Sequence, residues 1–271
     1  MLADILLNDG EPKEQALAAL KSFEISQLPV YAIKEFKRGP LSYFAWLHNK
    51  LVTTQSFKSS IAALHALSRT PMRYRTSTAL EAIVRGTASI AQETPATLAA
   101  KYGNDADLES ILRDEYRLAL KRVIFQAWSS RRSVTTETVH PLSCYDERPP
   151  YEKRGMIELD PKRCDLQPAC CLVLPLRAMA DGLKKMRESI IASTSQRRED
   201  QRRTKALKQV YHTKSAITDD VCRDLGDAII VAFSPPDATI LTTNVRDHAV
   251  LARPSGKKVQ SPREIAGSVD G

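Results

Sequence analysis

Two neighbouring runs of sequence give the strongest indication of the fold: Leu225-Gly226-Asp227-Ala228-Ile229-Ile230-Val231-Ala232, and Ala238-Thr239-Ile240-Leu241-Thr242-Thr243-Asn244-Val245-Arg246-Asp247-His248. The first run is almost wholly apolar, which predicts a short buried helix over Gly226–Phe233. The β-branched residues of the second run predict a strand over Thr239–Thr242. The residues after that strand have the composition of one or two helical turns, expected over Asn244–Leu251. Such alternation of helix and strand is typical of α/β folds with parallel strands.

The two ends of the chain show the same alternation. A helix with proline in its first turn is predicted from Glu11 to about Phe23. A short buried strand over Ile25–Val30 and a second helix over Tyr31–Gly39, ending at the glycine, follow it. At the other end, a last strand is expected at Lys258–Gln260. We therefore expect one parallel sheet assembled from both termini.

The middle of the chain is expected to be mostly helical. The longest pattern places Leu108, Leu112, Ala119, Val123 and Ala127 on one face of a helix over Asp107–Arg131. A segment rich in proline, serine, threonine and charge predicts a long loop or hairpin at about residues 131–168. Residues 1–55 and 212–271 would then form an α/β core. Residues 56–211 would be a helical insertion whose last helices pack on that core. Further helices are expected at Leu41–Val52, Ser56–Ser68, Thr76–Gln92, from Thr94-Pro95 onward, Ala169–Ile191 and Gln196–Tyr211.

Composition narrows the class of protein. The 271 residues carry a formal charge of +8, and a hydrophobic share of 42% with 27% charged residues excludes wholesale disorder. The longest apolar runs are far shorter than the roughly 18 residues that a membrane-spanning helix needs. The chain opens with an acidic amphipathic stretch, Asp4 to Glu14, instead of a signal peptide, and we expect a cytoplasmic protein. The basic charge is compatible with a polyanionic partner without establishing one.

Common catalytic and metal-binding motifs are missing from the sequence. No HExxH, GxSxG, P-loop or GxGxxG pattern occurs. The cysteines form no CxxC pair, so reduced thiols are expected, and a structural zinc site near His140 is the less favoured alternative. The five cysteines are Cys144, Cys164, Cys170, Cys171 and Cys222.

Three acidic residues could meet at one edge of the predicted sheet. Glu35 follows the N-terminal strand, Asp227 begins the apolar helix, and Asp247 comes just after the Thr239–Thr242 strand. Open α/β folds build their clefts at the carboxyl ends of such strands. Converging carboxylates repel one another unless a cation compensates them, and hard oxygen ligands select Mg²⁺ or Mn²⁺. The alternative to a metal site is that Glu35 is an exposed helix residue and that Asp227 and Asp247 are acids at helix N-termini, where the helix dipole favours them.

The same residues carry a family resemblance. The two C-terminal runs are similar to the second half of a PIN domain, which has an Asp-Ala-(apolar)-Ile-Ala-Ala helix and a strand ending in Thr-x-Asn-x-x-Asp-Phe. His248 stands where that family has an aromatic residue. The earlier stretch Leu28-Pro29-Val30-Tyr31-Ala32-Ile33-Lys34-Glu35-Phe36-Lys37-Arg38-Gly39 resembles the family's strand-to-helix passage with its glutamate. The resemblance covers roughly the first 50 and the last 55 residues.

The resemblance implies a fold, an activity and a site. The fold would be a three-layer α/β/α sandwich with a parallel sheet and a large, mostly helical insertion. The activity would be that of a ribonuclease dependent on Mg²⁺ or Mn²⁺, in one version a toxin with a cognate antitoxin. Glu35, Asp227 and Asp247 would ligate the metal. Asn244 and Thr243, with Thr242, would support the metal or the substrate.

The resemblance also implies a metal-binding aspartate that precedes this chain. The family's first strand ends in Asp-x-Asn-x-Leu, and Leu2 aligns with the leucine of that motif, so its aspartate falls ahead of Met1. Three explanations are open: a start codon assigned too late, a gene fragment and a degenerate protein. We favour truncation. A second alignment uses Asp4 as the ligand but has no asparagine two positions later. A protein without this aspartate is expected to bind Mg²⁺ poorly and to cleave little.

A basic segment in the insertion suggests a second kind of function. Its arginines and lysines are diluted by Glu199 and Asp200, and on a helix they could contact RNA phosphates. A solvated helix face is the alternative. If the acidic residues do not bind metal, the chain would be a non-catalytic RNA-binding or protein-interaction module. The candidate RNA-binding residues are Arg197, Arg198, Arg202, Arg203, Lys205 and Lys208.

Overall fold

A computed structural model of the chain describes residues 1–7, 10–68, 95–103, 107–139, 148–159, 170, 172–193, 197–212 and 217–269. The elements of its first half are α1 (Leu2–Leu7), α2 (Glu11–Lys21), β1 (Gln27–Pro29), α3 (Val30–Phe36), a π-helical turn (Lys37–Leu41), α4 (Ser42–Thr54), α5 (Phe57–Ser68), α6 (Pro95–Tyr102) and α7 (Leu108–Ser130). Those of its second half are β2 (Glu137–Val139), β3 (Tyr151–Lys153), β4 (Met156–Glu158), α8 (Val173–Ala178), α9 (Ala180–Ala192), α10 (Arg198–His212), α11 (Asp219–Asp224), α12 (Gly226–Phe233), β5 (Thr239–Leu241), α13 (Val245–Ala252), a 3₁₀ turn (Arg253–Ser255), β6 (Lys258–Gln260) and α14 (Pro262–Val269).

The chain divides into two compact units. The terminal unit comprises Met1–Glu35, Arg131–Asp146 and Lys162–Gly271, and the middle unit comprises Phe36–Ser130 and Glu147–Pro161. The protein is therefore a mixed α/β chain in which helices outnumber the short strands of the described residues. The extents predicted from the sequence, residues 1–55, 56–211 and 212–271, stay a prediction.

The C-terminal elements form as their sequence predicts. Helix α12 begins at Gly226 and ends at Phe233, and it buries Ala228, Ile229 and Val231. Strand β5 pairs in parallel with β6 in the register Thr239↔Lys258 to Leu241↔Gln260. These predictions are confirmed because local hydrophobicity and β-branching determine such short, buried elements.

The core of the terminal unit is made largely by helices. Helix α10 contributes Leu207, which is wholly buried, and α12 contributes Val231. The Ser189 hydroxyl on α9 donates a hydrogen bond to the Val250 carbonyl of α13 at 2.7 Å. The other buried members from α9, α10 and α13 include Leu183, Met186, Ile190, Ala206, Val210, Leu251 and Ala252.

The single sheet expected from both termini does not form among the described strands. Strand β1 pairs in parallel with β2, which lies in the proline-rich segment that we expected to be a loop or hairpin. The Ser26 and Thr136 side chains help to fix this pairing, because each hydroxyl hydrogen-bonds the backbone of the other segment. The described strands thus form three two-stranded sheets, β1–β2, β3–β4 and β5–β6.

The helix predicted to stop at Gly39 does not stop there. The π-helical turn passes through Gly39 and Pro40 and leads directly into α4. Proline removes a backbone donor from a helix. The Ser42 hydroxyl lies 2.8 Å from the carbonyl oxygens of both Arg38 and Gly39, so it gives these carbonyls a hydrogen-bond donor at the junction with α4. The helix predicted at Ala169–Ile191 is likewise two helices in its described part, α8 and α9, which meet at Met179.

The middle unit packs α4 against α7 and the β3–β4 hairpin. Asn49 on α4 fixes the hairpin, since its amide donates to the Ile157 carbonyl and its oxygen accepts from the Ile157 amide. Helix α7 forms as predicted, but of the five residues expected on its inner face Ala127 alone is buried; Leu108 is 66% exposed. The buried side chains of α7 are Ile111, Tyr116, Leu120, Ile124, Ala127 and Trp128.

One predicted helix lies outside the described residues, and the absence of a membrane-spanning helix can be checked only within them. The helix expected at Thr76–Gln92 lies outside them. Among the described helices, none has both the length and the apolar composition needed to cross a membrane.

Candidate functional site

The three acidic residues singled out in the sequence come from three helices of the terminal unit. Glu35 lies in the last turn of α3, Asp227 in the first turn of α12 and Asp247 in the first turn of α13. They gather in one cluster, although 191 residues separate the first from the second. A basic side chain that the sequence did not link to them, Arg203 of α10, lies among them.

Arg203 bridges the two aspartates. Its Nη2 atom lies 2.5 Å from Asp227 Oδ2 and 3.6 Å from Asp247 Oδ2. The exposed fractions of the side chains are 11% for Arg203, 20% for Asp227 and 11% for Asp247. Solvent screens such pairs less than surface pairs. The guanidinium therefore neutralises charge where the resemblance implies a metal ion.

A second arginine contacts the other carboxylate oxygen of Asp247. The Arg197 Nη2 atom donates to Asp247 Oδ1, and its Nε lies 3.2 Å from Asp200 Oδ2. The Arg197 backbone amide donates to the same Asp200 oxygen, which is half of a capping box at the start of α10. Asp200 also lies 3.7 Å from Arg203 Nη1. Two arginines and three aspartates thus form one ion-pair network.

Asp247 is held in its ionised form. Burial by itself would raise the pKa of this carboxyl, but hydrogen bonds from Arg197 and Asn244 and the charge of Arg203 bring the pKa below its usual value. Asn244, which precedes α13, therefore supports Asp247 as the resemblance implies for a residue at this position. In this structure it supports an aspartate that is paired with arginine.

His248 completes the cluster on the side of Asp227. Its Nδ1 lies 3.1 Å from the Asn244 carbonyl oxygen, which can only accept, so Nδ1 carries a proton. Its Nε2 lies 3.7 Å from Asp227 Oδ1. The ring is buried, which fits the aromatic residue of the PIN pattern at this position. No pattern in the sequence indicates that this histidine faces Asp227.

Glu35 stands apart from the arginine network in its protonation. Burial, followed by the nearby charge of Asp227, raises the pKa of Glu35 to about 8, although Lys34 and Arg203 oppose the shift. The carboxyl packs against the start of α12, where a Cβ atom on Gly226 would lie 2.1 Å from Glu35 Oε1. Gly226 thus makes room for Glu35. With no cation beside it, the glutamate is therefore largely protonated at neutral pH.

The threonines near the cluster make contacts of their own. Thr243 Oγ1 lies 3.2 Å from the Met1 amino nitrogen, which also pairs with Asp4 at 2.8 Å. Thr242 Oγ1 accepts a hydrogen bond from the Asn244 amide at 3.1 Å. The Asp4 carboxyl is thus paired with an ammonium group. Of the cysteines, Cys170 and Cys222 are buried and not in a disulfide, and the other three lie outside the described residues.

A divalent cation does not fit the cluster as it is arranged. The carboxylate oxygens are suitable donors for Mg²⁺ or Mn²⁺. Nevertheless, within the described ranges no three acidic, histidine or cysteine side chains are grouped so that they could hold a metal ion. Arg203 contacts two of the expected ligands, and the third, Glu35, is the carboxyl with the raised pKa.

The residues expected to contact RNA divide into two sets. Arg197 and Arg203 turn towards the aspartates, so the expectation that they form part of an exposed basic surface is not met. The other basic residues of this segment are exposed on α10: Arg198, Arg202, Lys205 and Lys208. Arg202 lies 3.9 Å from Glu199, a loose surface pair. The sequence could not separate the sets, because the inward positions are defined by aspartates on α12 and α13.

Comparison with known proteins gives no further identification. No family model matches the chain, and neither curated proteins nor solved structures give a match. The likeness to PIN domains therefore rests on the sequence motifs described above.

Proposed function

We propose that this chain is a PIN-like protein, with a three-layer α/β/α core, that binds RNA without cleaving it in the arrangement described. One observation carries the proposal: Arg197, just before α10, and Arg203 on α10 contact the aspartates, whereas the arginines and lysines of α10 other than Arg203 lie in solvent. The first set removes the negative potential that would repel RNA. The second set provides cations for the phosphates.

The charges on α10 support this division of roles. Exposed arginine and lysine side chains bind phosphates with little regard to sequence, through the release of condensed counterions. An open acidic cluster close to them would oppose such binding. Because each aspartate of the cluster contacts a guanidinium, its charge opposes RNA binding at the exposed cations of α10 less than the charge of an unpaired carboxylate would.

The test is RNA binding in the absence of divalent metal. Labelled oligouridine is titrated with the protein in EDTA while fluorescence anisotropy is measured at several salt concentrations. We expect binding whose logarithmic affinity falls linearly with the logarithm of salt concentration, with a slope of about −0.7 for each phosphate contacted. Absence of binding at low salt would rule out the RNA-binding function.

A second candidate function is a ribonuclease dependent on Mg²⁺ or Mn²⁺, with the toxin type and its antitoxin partner as a narrower version. The observation that favours it is the convergence of Glu35, Asp227 and Asp247 from distant parts of the sequence. Such an enzyme would have to move Arg203 off the aspartates before a cation could bind. Nothing in the present arrangement of side chains supplies that movement.

Calorimetry with Mn²⁺ separates the two candidates. The nuclease predicts Mn²⁺ binding by the wild-type protein that Asp227→Asn abolishes. The RNA-binding function predicts no heat of Mn²⁺ binding with either protein. Arg203→Met serves as the control for a hidden site, because it removes the competing cation and keeps a long apolar stem.

A further inference from the structure

A groove between α9 and α10 combines positive charge with apolar surface. It encloses a cavity of about 270 Å³. Arg187 from α9 and Lys205 and Lys208 from α10 line it, as do the apolar side chains of Ile190 and Ile191. Of these cations, Arg187 is the one that is not among the candidate RNA-binding residues of the sequence.

The cations that line the groove are not ion-paired with acidic side chains of the described residues. Among the described residues, neither lysine nor Arg187 forms an ion pair, and Arg187 Nε is buried without a hydrogen-bond partner. The acid that lines the groove, Asp200, is already paired with Arg197 and Arg203. A buried donor without a partner costs free energy, which an incoming acceptor recovers. The groove is therefore suited to an anion.

The apolar side chains indicate what kind of anion. Ile191 is 44% exposed, a large value for an isoleucine beside a cluster of cations. A small inorganic anion would leave this surface in water, whereas an unstacked base of a single-stranded nucleic acid could cover it while its phosphates contact the cations. A duplex hides its bases in the stack and would leave Ile191 uncovered.

We propose that the groove lined by Arg187, Lys205, Lys208 and Ile191 binds single-stranded RNA, with phosphates on the three cations and a base on the isoleucine. This assignment rests on the proposed RNA-binding function and names the surface that performs it. It also joins that surface to the acidic cluster, because Asp200 belongs to both.

The experiment compares two double variants that remove the same charge. Lys205→Gln/Lys208→Gln changes the groove, and Lys184→Gln/Lys185→Gln changes exposed lysines of α9 that do not line it. Oligouridine is the probe, and anisotropy is measured in EDTA at several salt concentrations. We expect the groove variant to bind about tenfold more weakly and to lose about 1.4 from the salt slope, since each phosphate contact contributes about 0.7. The control variant should bind like the wild type.

A third variant distinguishes base contact from charge alone. Ile191→Ser should weaken oligouridine binding while leaving the binding of inorganic polyphosphate unchanged. Ile191 is half exposed, so this substitution does not open the core.

The groove assignment and the proposed RNA-binding function are contradicted by different results. If the wild type binds oligouridine and the two lysine variants weaken it equally, RNA is bound elsewhere and the groove assignment is wrong. If Ile191→Ser changes nothing, or if polyglutamate displaces the RNA from the wild type as effectively as unlabelled oligouridine does, the ligand is an anion without a base. If the wild type does not bind oligouridine at all, the proposed function fails together with the groove.

Discussion

At the scale of single residues, Arg203 compensates the negative charge of the acidic cluster. It contacts Asp200, Asp227 and Asp247, and its side chain is 11% exposed, against 10%, 20% and 11% for the three aspartates. Removing one member of a buried ion pair leaves its partners as uncompensated charges. We expect Arg203→Met to lower the free energy of unfolding by about 2–3 kcal/mol, measured by urea denaturation.

A double-mutant cycle tests whether that loss comes from the pairing. Asp227→Asn removes the charge at the shortest contact of Arg203. If the pair is coupled, the double variant should be more stable than the sum of the single effects predicts, by about 1–2 kcal/mol. Effects that add within about 0.5 kcal/mol would show that Arg203 stabilises the protein by packing alone.

Glu35 gives the cluster a pH dependence. Its pKa in the folded state is about 8 against an ordinary value of 4.5, so between these pH values the folded protein holds a proton that the unfolded chain has released. The stabilising contribution is fully present below pH 4.5 and is lost as the pH rises through 8. We expect stability relative to Glu35→Gln to fall by about 1.4 kcal/mol for each pH unit in this window. Urea denaturation in EDTA at several pH values measures it, and equal slopes for the two proteins would contradict the burial of Glu35.

Gly226 offers an independent check on the position of Glu35. A Cβ atom there would meet Glu35 Oε1 at 2.1 Å, and the side chain of the glutamate is the part that can move. Gly226→Ala should therefore displace the carboxyl towards water. We expect its pH dependence of stability to become as flat as that of Glu35→Gln. Retention of the wild-type slope would mean that Glu35 is not packed against the start of α12.

At the scale of elements, α10 has two faces with different roles. Leu207 is wholly buried in the core of the terminal unit, and the next residue, Lys208, is exposed. Leu207→Ala should cost about 2–5 kcal/mol of unfolding free energy because it leaves a cavity. Lys208→Ala should change it by less than about 0.5 kcal/mol. Equal effects of the two substitutions, measured by urea denaturation, would place the buried face of α10 elsewhere.

The elements also show which features the sequence could predict. Helix α12 forms at the predicted residues and strand β5 forms within one residue of its predicted end, since their apolar or β-branched composition is a local signal. The pairing of β1 with β2 joins segments about a hundred residues apart, and no local pattern specifies such a partner. The π-helical turn passes through Gly39 and Pro40, two residues that usually end a helix, so composition alone does not reveal it.

In the candidate site, too, only the features with a local sequence signal could be predicted. Glu35, Asp227 and Asp247 could be identified because each stands at a recognisable place next to a helix or strand, and they do come together. The neutralising role of Arg197 and Arg203 could not be identified in the same way. In the sequence these arginines look like their exposed neighbours, and only the packing of α10 beside α12 and α13 separates them.

At the scale of the whole molecule, the formal charge of +8 is the sum of paired and exposed charged side chains. Part of the basic content of α10 is paired with aspartates, so the charge available to a polyanion is smaller than the composition indicates. Binding should consequently be salt-sensitive but modest, since the number of phosphates contacted and not the net charge fixes the salt slope.

The most direct test of the account is a titration of oligouridine with the wild-type protein, in EDTA and again in Mn²⁺, with recovery of the RNA afterwards. Because Arg203 holds the aspartates that a cation would need, we expect the same affinity in both buffers and intact RNA at the end. Binding that requires Mn²⁺, or RNA that is cleaved when Mn²⁺ is present, would contradict the account and favour the metal-dependent nuclease.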